Sequence, residues 1–118
     1  MNNQQFMPQS NINNVFVSGP ENLHTLLTGP VYGANYQLSH YRAVLSWIPA
    51  TSNEPISRYE IYRGETRNDM RKIGETSMGH YTDPTVQPGR LYYYFVVAFN
   101  PMNIPSPVSN THTVTVQY

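Results

Sequence analysis

The chain has no cysteine among its 118 residues, so neither a disulfide framework nor a thiolate metal site is available to it. Charge is scarce as well. Asp, Glu, Lys and Arg together make up 12% of the sequence, about half the share of ordinary domains. Seven basic residues cancel seven acidic ones, which removes the attraction expected of a nucleic-acid binder. No apolar run is long enough to span a membrane. The start, Met1-Asn2-Asn3-Gln4-Gln5, lacks the basic and apolar regions of an export signal. These absences predict a chain made in a cytoplasm, with neither nucleic acid nor membrane as partner.

The few charges are confined to the middle. Glu21 is the only one before Arg42, and none follows Arg90. Uncharged ends suit surfaces that become covered better than they suit solvated tails. Residues 1 to 17 are rich in Asn and Gln, with Phe6, Met7, Ile12, Val15, Phe16 and Val17 dispersed among them. Two readings stand side by side: a disordered leader, or an assembly arm whose apolar residues anchor it while its amides pair with a sheet edge. Ser18-Gly19-Pro20-Glu21 has capping-box spacing with Pro in the first turn. Leu23, Leu26 and Leu27 follow at helical spacing, and Gly29-Pro30 is a stop signal. The segment 20–28 thus predicts a short helix, with a first strand as the competing reading.

From Val31 onward the pattern is one of strands and turns. Strands are predicted at 31–38 (weakened by Gly33), 41–48, 57–63, 71–76, 79–83, from Tyr92, and at 111–118. The strongest begins at Tyr92, after the turn pair Pro88-Gly89. Its alternate residues form two faces: Tyr92, Tyr94, Val96 and Ala98 on one, Tyr93, Phe95, Val97 and Phe99 on the other. Both are apolar or aromatic, whereas a sandwich strand needs only one such face. Seven short strands with frequent turns predict an all-β sandwich.

Several pieces together resemble a fibronectin type III domain, a branch of the immunoglobulin-like sandwiches. They are Leu45-Ser46-Trp47 with Pro49, Pro55-Ile56 leading into Tyr59-Glu60-Ile61-Tyr62-Arg63, and Tyr81-Thr82-Asp83. Val86-Gln87-Pro88-Gly89 follows, then the alternation from Tyr92 to Asn100, and Ser106-Pro107 with Ser109 before the last strand. The resemblance covers roughly residues 31 to 118, leaving 1–30 as an N-terminal arm. It implies a seven-stranded sandwich with Leu45, Trp47, Tyr59, Ile61, Tyr92, Tyr94 and Val96 in its core. It also implies that Tyr92 is the tyrosine-corner residue, its hydroxyl returning to upstream backbone.

Chemistry finds little support. His24, His40, His80 and His112 are far apart and lie in no nucleophile or metal motif. Glu60, Glu65, Asp69 and Glu75 alternate with Arg58, Arg63, Arg67, Arg71 and Lys72, and are expected to be solvated surface pairs of small worth. Arg63-Gly64-Glu65 differs from the Arg-Gly-Asp adhesion tripeptide in its third residue and lies in the wrong loop. No catalytic residue, cofactor or metal is expected. Ten tyrosines raise sugar stacking as a minor reading.

The binding expectation falls instead on Tyr62, Tyr93, Phe95 and Val97, a predicted apolar patch on the outer sheet face, and on the Phe6 to Val17 arm. Such patches usually mark an interface. Either Leu23, Leu26 and Leu27 cover it as a lid or a protein partner does. The leading expectation is a non-catalytic structural or interaction protein. By resemblance it would be a bacteriophage virion component: a capsid or tail decoration, adaptor or fibre joined to other subunits or to copies of itself. The alternative is an accessory carbohydrate-binding or adhesion module of a secreted, extracellular protein, with loops 49–56 and 100–107 as its binding surface.

Overall fold

A computed structural model describes residues 18–118; the arm residues Phe6, Met7, Ile12, Val15, Phe16 and Val17 lie outside them. Seven strands follow in order: β1 (Glu21–Tyr32), β2 (Leu38–Ile48), β3 (Arg58–Gly64), β4 (Arg71–Thr76), β5 (His80–Asp83), β6 (Leu91–Phe99) and β7 (His112–Thr115). They build two antiparallel sheets, β1-β2-β5 and β4-β3-β6-β7.

The predicted inner faces meet between these sheets. Leu45, Ile61, Tyr94, Val96 and Ala98 are fully buried, and Trp47, Tyr59 and Tyr92 nearly so. Trp47 and Tyr59 meet edge to face at 5.4 Å, the offset geometry that aromatic quadrupoles favour. The Tyr92 hydroxyl accepts the Gln87 N–H at 3.0 Å, closing the tyrosine corner. Ser106 and Ser109 continue the β6 ladder where Pro105 and Pro107 cannot donate. Each accepts a β6 N–H on its hydroxyl (Ala98 at 3.0 Å, Val96 at 2.9 Å). Each also donates its own N–H back to the same residue's carbonyl.

The segment 20–28 is a strand, not a helix, and the expected boundary at residue 31 falls inside β1. The register with β2 slips between Glu21 and His24 and again between Thr25 and Leu27. Each irregularity inserts a residue, so strict in–out alternation is lost along β1. Leu23 lies in the core while Leu26 and Leu27 are exposed. Ser18 caps no helix; its hydroxyl pairs with that of Thr51 at 2.7 Å. Of the predicted strand at 31–38, Val31 and Tyr32 end β1 and Leu38 opens β2, while residues 33–37 between them are the turn.

That turn is strained. Asn35 and Tyr36 both have positive φ, 58° and 59°, and the Gln37 N–H donates to the Ala34 carbonyl at 3.2 Å. These are the marks of a type I′ hairpin turn, whose second central position suits glycine. A side chain there costs roughly 1–2 kcal/mol.

Two of the four edge strands, β1 and β4, are guarded. On β1 the Asn110 side chain accepts the Leu23 N–H at 2.8 Å and donates to the Leu23 carbonyl at 3.1 Å, taking the place of a neighbouring strand. On β4 the edge carries Arg71, Lys72 and Glu75, charges that discourage strand addition.

Candidate functional site

The outer face of the larger sheet follows from the register of β3 against β6. Tyr62 faces Phe95, Glu60 faces Val97, and Arg58 faces Phe99. The Tyr62 and Phe95 rings stack at 4.9 Å, only 9° from parallel. The Arg58 guanidinium sits 4.2 Å from the Phe99 ring centre, and that of Arg67 4.8 Å from the ring of Tyr93. Tyr93, Phe95 and Phe99 are half-buried. Val97, between the two cross-strand pairs, is 7% exposed and offers a partner almost no surface.

The predicted lid is absent from this face. β1 belongs to the opposite sheet, so Leu23, Leu26 and Leu27 cannot cover Phe95. Charged side chains from the same sheet and from the β3–β4 turn shield the rings instead. Long cationic stems can cover apolar surface while their heads stay wet.

Glu60 organises that shield. It is 7% exposed, not the solvated surface group expected from its sequence neighbours. Arg58 donates to it at 2.9 Å, Lys72 at 3.3 Å and the Tyr62 hydroxyl at 3.1 Å. Burial works to raise its pKa, but the Arg58, Tyr62 and Lys72 hydrogen bonds and the Lys72 charge outweigh it and hold the carboxyl below its ordinary value.

A second carboxylate ties the sheets together and escaped the sequence reading. Asp83, on β5 of the smaller sheet, is 1% exposed. One oxygen accepts from Arg63 at 2.8 Å and the Tyr94 hydroxyl at 2.7 Å. The other accepts from the Thr85 hydroxyl at 2.7 Å and the Thr85 N–H at 3.0 Å. Burial again favours the neutral acid, yet these four donors hold the Asp83 pKa below its usual value. Burial and the Asp83 charge push the Tyr94 hydroxyl well above the ordinary tyrosine range. The signal for this link was the shared parity of Tyr59, Ile61 and Arg63, which points Arg63 inward at the sheet rim.

Next to Arg63 an open cleft of about 430 Å³ is lined by Arg63, Glu65, Asp69, Arg71 and Lys72, among others. Its cations are committed: Arg63 to Asp83, Arg71 to Asp69, Lys72 to Glu60 and Glu75. Glu65 is engaged by Arg90. The cleft is a network of internal pairs.

The loop 100–107 is organised by Asn100, fully buried, whose side-chain oxygen accepts the Met102 and Ile104 N–H groups at 3.0 and 2.9 Å. His112 pairs with the Thr25 hydroxyl at 2.7 Å and His24 with the Asn22 carbonyl at 2.8 Å. Among the described residues no three His, Asp or Glu side chains gather as a metal site requires. No helix among them is long and apolar enough to cross a membrane.

The paired sheets, the Trp47–Tyr59 core, the tyrosine corner and the serine-extended ladder define a fibronectin type III-like sandwich. Known structures bear out this fold. A Fn3-like protein from Clostridium thermocellum superposes with a TM-score of 0.62 at 20% identity, over 86% of this chain and 94% of that one. A β-1,2-glucanase from Parabacteroides distasonis gives a TM-score of 0.62 at 24% identity, over 95% of this chain and 14% of the enzyme. In sequence, 62 residues are 40% identical to part of an amylopullulanase from Thermoanaerobacterium saccharolyticum. That match takes in 51% of this chain and 5% of the amylopullulanase. No family model matches the chain.

Proposed function

We propose that this is a non-catalytic accessory module of a secreted, polysaccharide-acting protein. The observation that carries the reading is the 40% identity of 62 residues to a stretch of amylopullulanase. The fold likeness to part of a β-1,2-glucanase points the same way. The side chains support a binding role over a chemical one. The two buried carboxylates are saturated by internal donors, so neither is available to move a proton. The outer sheet face, with the Tyr62–Phe95 stack and the Arg58–Phe99 and Arg67–Tyr93 pairs, is a half-covered aromatic surface suited to lie against a neighbouring domain. Protein contact through it is the accessory role in physical terms.

The virion role expected from the sequence has no comparable likeness behind it. The reading is tested by sequencing the locus and the full transcript that encode the chain. A polysaccharide-acting catalytic domain in the same or an adjacent reading frame is expected. Capsid or tail genes on both sides would overturn the accessory role in favour of the virion one.

A further inference from the structure

The β1–β2 hairpin reaches past the rest of its sheet. β5 pairs with β2 only from Ala43 to Ser46, so from Pro30 to Tyr41 the ribbon's strands pair only with each other. At its end Tyr36 is 91% exposed, and the cross-strand pair Tyr32 and Leu38 is 60% and 53% exposed. Tyr36 also holds the left-handed backbone at φ 59°, where glycine would fit without cost. A ring this exposed returns almost no packing to the fold for that strain, and strain of this kind clusters where a side chain is presented to a ligand.

We infer that the hairpin tip is a contact site for a neutral polysaccharide chain, with Tyr32 and Tyr36 as stacking platforms. The choice of ligand follows from the chemistry of the ribbon. No charged residue lies between Glu21 and Arg42, which argues against a phosphate-bearing or strongly charged partner. The polar groups at the tip are instead Asn35, Gln37, Ser39 and His40, all exposed. Amides and hydroxyls exchange hydrogen bonds with sugar hydroxyls, and flat aromatic faces accept the C–H faces of a pyranose ring. The inference deepens the accessory-module reading and rests on it.

The test is native electrophoresis of the full chain through gels containing amylopectin, pullulan or β-1,2-glucan. Retardation is expected in at least one gel. Tyr36→Ala and Tyr32→Ala should each weaken it about tenfold, and Tyr36→Phe should leave it intact. Tyr62→Ala with Phe95→Ala should retain it. Urea midpoints read from Trp47 fluorescence confirm that each variant is folded, since the tip makes no core contact. Retardation that survives the tip substitutions overturns the inference while leaving the accessory role standing. No retardation in any gel also overturns it, and capture of a protein through the tip would then assign the hairpin to a protein contact. In both cases the locus still decides the accessory role separately.

Discussion

Replacing Asp83 by Asn probes the link between the sheets. Each carboxylate oxygen receives two donors: Arg63 and Tyr94 on one, the Thr85 hydroxyl and N–H on the other. An amide of the same shape must set its NH2 group against one of these donor pairs, whichever way it is turned. It also leaves the Arg63 guanidinium, with 22% of its side chain exposed, without its counter-charge. Breaking one side of a buried pair costs about 3–5 kcal/mol, a large fraction of the 5–15 kcal/mol that holds a typical domain folded. With a urea m-value of about 1.5 kcal/mol/M, the midpoint should fall by roughly 2–3 M. Fluorescence of Trp47, the single tryptophan, reports the transition.

The pH dependence of the same comparison separates charge from shape. Asp83 has a depressed folded pKa, so its stabilisation is whole above the ordinary value of 3.8 and is lost as pH falls through the lower folded value. The gap between wild type and Asp83→Asn should therefore close on acidification below that value. A midpoint shift under about 0.5 M at neutral pH, or a gap that persists unchanged in acid, would refute the account of Asp83 as an ionised cross-sheet tie.

Tyr92→Phe removes the acceptor of the Gln87 N–H and should cost about 0.5–1.5 kcal/mol, read as a urea midpoint shift without loss of fold. Gly19→Ala places a Cβ against the Pro107 carbonyl oxygen, a backbone atom that cannot swing aside; a loss of about 1–3 kcal/mol is expected by calorimetry. Burial, with help from the His24 charge, holds the His112 pKa below 6.5. The folded state thus prefers the neutral ring, and stability should fall as pH drops below 6.5. His112→Gln should flatten that slope between about pH 7 and pH 5.

β2, β3 and β6 were legible because each keeps one inward face unbroken. Tyr92, Tyr94 and Val96 read as inward by simple alternation, and they are. β1 was misread because register slips break its alternation, because Leu23, Leu26 and Leu27 stand at helical spacing without sharing a face, and because Ser18 and Glu21 imitated a cap. The outer sheet face was legible in its rings but not in its covering. That Glu60 would be buried under Arg58 and Lys72 depends on which strands become neighbours. Asp83 was hidden for the same reason, its partners Arg63 and Tyr94 lying 20 and 11 positions away. The turn at Asn35-Tyr36 gave no warning, since Tyr is not the residue that a left-handed position usually selects.

The amide of Asn110, clasped to Leu23, has a wider consequence. With the Leu23 backbone already paired to a side chain, a second copy of the molecule cannot extend its own ladder through that residue. A partner held by exposed side chains instead can have its grip altered one substitution at a time while the scaffold stays as it is.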